Sequence, residues 1–105
     1  MNDQTLLELA AKAAGIGPVL CYEGMRNCLR IGTRDSYKIW SPLSGSDHAM
    51  SLAVKLGICI VFFEDQKKVG AEQSSHGVIA FESLDVAGTR RAIVRAAAAI
   101  AKATA

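Results

Sequence analysis

The stretch Lys38–Ile58, KIWSPLSGSDHAMSLAVKLGI, holds the chain's one tryptophan and one of its two prolines. Tyr37-Lys38-Ile39-Trp40 alternates and is rich in aromatic and β-branched character, which predicts a short strand. Pro42 cannot donate to a strand ladder and holds Ser41 extended, so the strand stops there. Ser44-Gly45-Ser46-Asp47 has the hydroxyl-to-carboxylate spacing of a capping box. Ala49, Leu52, Ala53 and Leu56 then recur at i, i+3, i+4 and i+7, one apolar helix face. Gly57 stands where a left-handed C-terminal residue is wanted. The unit reads strand, proline turn, capped helix, next strand.

Outward from this unit the same reading assigns the rest of the chain. Asn2 or Asp3 caps a first helix whose stripe is Leu6, Leu9, Ala10 and Ala13, and Gly15-Ile16-Gly17-Pro18 ends it. Val19-Leu20-Cys21-Tyr22 reads as a strand, Glu23-Gly24 as a two-residue turn, and Met25 to Ile31 as the return strand. Met25, Leu29 and Ile31 fall on a buried face of that strand, with Arg26, Cys28 and Arg30 opposite. A turn at 32–36 leads into the Tyr37 strand, giving an antiparallel meander.

After the central helix, Ile58-Cys59-Ile60-Val61-Phe62-Phe63 is a continuous apolar run, expected to be a central strand covered on both faces. Glu64 to Ser75 reads as a long polar loop or loose hairpin tip, and 77–81 as the last strand. Asp85 caps a long closing helix with Val86, Ile93, Ala97 and Ile100 on its apolar face. The order α-β-β-β-α-β-β-α predicts an α+β fold: three helices on a mostly antiparallel sheet of four to five strands, sandwich-like, with residues 1–105 as a single domain.

Composition sets bounds on function. The chain has 105 residues, 50% hydrophobic and 21% charged, as in an ordinary globular domain. Its net charge of +2 is too small for the footprint of a dedicated nucleic-acid binder. The charge is uneven, however. Arg26, Arg30, Arg34 and Lys38 outweigh Asp35, Glu72, Glu82 and Asp85 cluster without a base, and Arg90, Arg91, Arg95 and Lys102 stand unopposed. Cys21, Cys28 and Cys59 form no CxxC pair and are expected to be reduced and buried, in a cytosol-like compartment. The opening MNDQTLLELAAKAAG is amphipathic and acidic early, unlike a secretory leader, and no apolar run approaches a membrane span.

Candidate chemistry is sparse. Ser46, Asp47 and His48 are consecutive, so on a helix they point apart and cannot form a triad by themselves. His48 as the base of a small enzyme competes with a solvated first-turn histidine. His76 has no partner at ligand spacing, so no metal site is assigned. Neither G-x-x-x-x-G-K-[ST] nor G-x-G-x-x-G occurs, and no cofactor is expected. Burying the Trp40 indole removes on the order of 200 Å² from water. At about 25 cal/mol per Å² that stabilises by up to roughly 5 kcal/mol, so the tryptophan is accounted for as core. The features with functional promise are the arginines: Arg26 and Arg30 on one strand face, Arg91 and Arg95 on one face of the last helix. They form a candidate basic surface for phosphates or an acidic protein.

Trp40-Ser41-Pro42-Leu43, the helix Asp47-x-Ala49-x-x-Leu52-Ala53-Val54-Lys55-Leu56, the closing Thr89-Arg90-Arg91-Ala92-Ile93-Val94-Arg95-Ala96-Ala97 and the opening Leu6-Leu7-Glu8-Leu9-Ala10-Ala11-Lys12-Ala13-Ala14-Gly15 together resemble small proteins of tailed bacteriophages and prophages. This group is known as the phage ABA-sandwich domain and its relatives. Ser44-Gly45-Ser46 departs from the more acidic turn of the group. The resemblance implies a phage or prophage accessory protein working in the bacterial host cytoplasm, and it carries no catalytic residues. The leading expectation is therefore a non-enzymatic binding module for a host or phage macromolecule, a protein before a nucleic acid, acting as a small homo-oligomer. The alternatives are a nucleic-acid binder using the arginines and a small enzyme using His48.

Overall fold

A computed structural model describes residues 1–104. The elements are α1 (Asp3–Ala14), β1 (Val19–Glu23), β2 (Cys28–Gly32), β3 (Tyr37–Trp40), α2 (Ser46–Leu56), β4 (Cys59–Phe63), β5 (Lys68–Gln73), a 3-10 turn (Ser74–His76), β6 (Val78–Ser83) and α3 (Val86–Ala103). The fold is α+β and wholly antiparallel, but the strands divide into two three-stranded sheets, β1-β2-β3 and β4-β5-β6.

The helix ends follow local chemistry. The Asn2 side chain accepts from Thr5 N–H, Asp85 accepts from Gly88 N–H, and Gly15 and Gly57 close α1 and α2 with φ of 67° and 66°. The capping box does not form. Gly45 is the N-cap of α2 with no side-chain bond, because the chain from Ser41 instead turns on backbone bonds, Ser41 accepting from Ser44 and Gly45 N–H.

α3 is the organising element. Ala92, Ile93, Val94, Ala96, Ala97, Ala98, Ile100 and Ala101 are buried around nearly its whole circumference, as expected of a helix packed on several sides. It contacts α1, α2, β5 and β6. The alanines of α3 face an α1 whose Leu6, Leu7, Ala10, Ala11 and Ala14 are buried, so the two helices approach closely. β1 and β2 contact α1. Trp40 opposite Leu29 brings this first sheet into the same core.

The second sheet departs most from expectation. The segment read as a polar loop contains β5, which is the central strand, with Val69, Gly70 and Ala71 buried. The apolar run Cys59–Phe63 is an edge strand, not a central one. The reason lies in Gly70. Phe63 and Phe81 lie 6.0 Å apart across it, and their rings occupy the space a side chain there would need. The small residue buries β5 without any β-branched side chain at that position. The register places Val61, Gly70 and Phe81 on this outer face, and Ile60, Phe62, Val69, Ala71 and Ala80 on the face toward α3. Met25 lies in the turn, 99% exposed, not on a buried strand face. That turn spans 24–27 rather than two residues, and Asn27 closes it at φ 50°. Cys28 is buried, but Cys21 and Cys59 are exposed free thiols.

Candidate functional site

Each expected arginine is already engaged. Glu23, at the end of β1, receives Arg26 through two bonds of 2.7 Å and Arg30 at 3.0–3.1 Å. The Arg26 hydrogen bond, with Arg30 adding to it, holds the Glu23 carboxyl down at about 2. Arg30 also stacks 5.0 Å from the Tyr37 ring centre, so Tyr37 faces a cation of its own chain. Beneath this cluster burial pushes the Cys28 thiol up. Arg91 donates to Asp3 at 2.8 Å and lowers its carboxyl. The other Asp3 oxygen takes Asn27, which in turn accepts from Tyr22 O–H, so one polar chain ties α1, the 24–27 turn and α3 together. Arg95 donates to the Phe81 carbonyl at 2.8 Å and to Glu82 at 2.6 Å. Arg91 and Arg95 line one groove with Lys102. Arg26 and Arg30 gather on Glu23 in the other sheet. Arg90 donates to Leu43 O and Ser46 Oγ and pins α3 to the start of α2.

His48 is half-buried with a structural task. Its Nδ1 accepts the Ser41 N–H at 2.9 Å and so closes the proline turn. The Ser41 hydroxyl lies 3.5 Å from the same nitrogen. One imidazole nitrogen has one lone pair, and the backbone amide occupies it, which leaves none to take a proton from the hydroxyl. His76 lies beside Gln73 in the 3-10 turn. Among the described residues no group of three metal-ligating side chains converges and no helix is long and apolar enough to cross a membrane.

The concave feature with binding character was not anticipated. Where α2 and α3 begin, Ala49, Met50, Phe62, Leu84, Val86 and Ile93 line an apolar groove of about 340 Å³. Met50, Phe62 and Val86 are 53%, 59% and 64% exposed. Ser46, Asp85, Thr89 and Arg90 complete its wall. Met50 lies off the apolar stripe of α2, which is the sequence signal that could have flagged it. Phe62 was masked by the expectation that its strand was covered. Comparison of the chain with protein-family models, with curated proteins and with solved structures gives no match.

Proposed function

We propose that this chain is a non-enzymatic binding module, an accessory protein of phage or prophage lineage, that takes an apolar segment of a partner protein into the groove between α2, β4 and α3. The carrying observation is the groove itself, with three large apolar side chains held half-exposed around it. Apolar lining with a few polar groups at the edge is the usual character of a recognition pocket, and exposed apolar patches on an otherwise well-packed domain mark interaction sites. The two charged residues of the wall are both engaged within the chain, Asp85 by the Gly88 N–H and Arg90 by Leu43 and Ser46, so the groove selects on apolar surface. The complementary partner is an apolar segment. The sequence likeness of the Trp40 unit and the two terminal helices supports the phage context. Protein is favoured over nucleic acid because Arg26, Arg30, Arg91 and Arg95 each already hold an internal carboxylate, and releasing them would forfeit those charge-assisted bonds.

Affinity capture from lysogenic cells, with the native chain and with Val86→Glu in parallel, tests this reading. Val86 is exposed in the first turn of α3, where an acid is tolerated by the helix dipole. The expected result is a protein retained by the native chain and lost from the variant, with both chains melting alike. Retention that Val86→Glu leaves unchanged, or retention only of nucleic acid that salt releases, overturns it.

A further inference from the structure

The two sheets present four edges, and three are blunted. β1 has an irregular register between Val19 and Cys21, a bulge of the kind that disrupts edge pairing. β3 has only four residues, one of them the charged Lys38. On β6, Arg95 donates to the Phe81 carbonyl and to Glu82, so a side chain already occupies that edge. β4 differs from all of these. It pairs only with β5, it is Cys59-Ile60-Val61-Phe62-Phe63 without charge, proline or irregularity, and no side-chain hydrogen bond reaches its backbone among the described residues. Such an edge is a template for another strand.

We infer that β4 is a self-association edge, and that a second copy of this chain pairs with it antiparallel across a two-fold axis at Val61. The sequence is self-complementary in that register. Val61 meets Val61 of the second copy, Ile60 stands opposite Phe62, and Cys59 opposite Phe63, with no like charges juxtaposed. The two three-stranded sheets then continue as one of six strands. α2 leads into β4 through Gly57 and Ile58, and it leaves Val54 75% exposed. Because only Gly57 and Ile58 separate α2 from β4, the pairing also sets the end of α2 that carries Val54 beside the second copy. The acidic Glu64-Asp65 after β4 lies toward the end where the second copy's α2 closes with the exposed Lys55, a complementary charge pairing. This inference rests on the free edge and not on the groove reading.

Sedimentation equilibrium of the full chain tests it without any other partner. The native chain is expected to sediment as a dimer of the 11.1 kDa protomer. Val61→Lys sets two lysines facing each other on the axis, and Val54→Lys charges an exposed helix face that folding does not need. Each is expected to weaken the dimer by about tenfold or more while circular dichroism stays native. If Val61→Lys fails to fold, Val54→Lys carries the test alone. A native chain that is monomeric into the millimolar range, or a dimer that Val54→Lys leaves intact, overturns the inference. Val86→Glu, which lies off this edge, is expected to leave the dimer unchanged, so failure of the groove reading and failure of this one are distinguishable.

Discussion

At the scale of single residues, this protein spends its charge internally. Glu23 was legible only as half of a turn, yet it anchors Arg26 and Arg30 above the buried Cys28. Sequence shows which residues are cationic. It does not show which carboxylate the chain folds against them, because Arg91 meets Asp3 across 88 positions. Glu23 yields a pH signature. Its carboxyl is held at about 2 in the folded protein against 4.5 unperturbed, a depressed folded value, so its contribution is fully present above pH 4.5 and is lost as pH falls from there toward 2. Thermal melts of the native chain and Glu23→Gln should therefore differ at pH 6 and converge near pH 2. Asp3, lowered by Arg91, acts with the same sign. A gap between the two melts that persists at pH 2 would show that the cluster stabilises by packing and not by charge.

At the scale of elements, the features written locally came through: caps at Asn2 and Asp85, left-handed glycines at 15 and 57, the meander β1-β2-β3. Gly88 had no local reason, since glycine early in a helix costs about 1 kcal/mol relative to alanine. Its reason is tertiary. A Cβ at that position would collide with the carbonyl of Ser83, at the end of β6, so the strand and the helix can approach only over a glycine. Gly88→Ala is expected to destabilise by about 1–3 kcal/mol through overpacking, despite alanine's better helix propensity; a urea titration measures this, and a neutral or stabilising result would mean that β6 shifts freely. β5 was missed for the converse reason. Lys68-Val69-Gly70-Ala71-Glu72-Gln73 has little β-propensity, and it is a central strand because Phe63 and Phe81 cover the gap that Gly70 leaves.

At the scale of the whole molecule, burial is unequal. The second sheet and α1 pack on α3, while most residues of β1 and β3 are exposed or half-buried and the first sheet joins the core chiefly through Leu29 and Trp40. The molecule is correspondingly long, 48 × 28 × 23 Å. Local opening follows buried apolar contact, so amide exchange should be slowest in α3 and β5 and clearly faster in β1 and β3. Equal protection of both sheets would instead mark a single cooperative unit.

The sequence by itself determined the helices, the caps of the first and last of them, the first meander and the α+β class, because periodicity, glycine and proline act within a few residues of where they stand. Only the tertiary structure decided that the strands form two sheets, that the apolar run 59–63 is an open edge, that His48 closes a turn, and that the arginines are paired while a groove at Met50, Phe62 and Val86 stays open. Each of these depends on which distant surface meets a given side chain. A continuous apolar strand reads identically whether its second face meets a helix, a groove or another molecule.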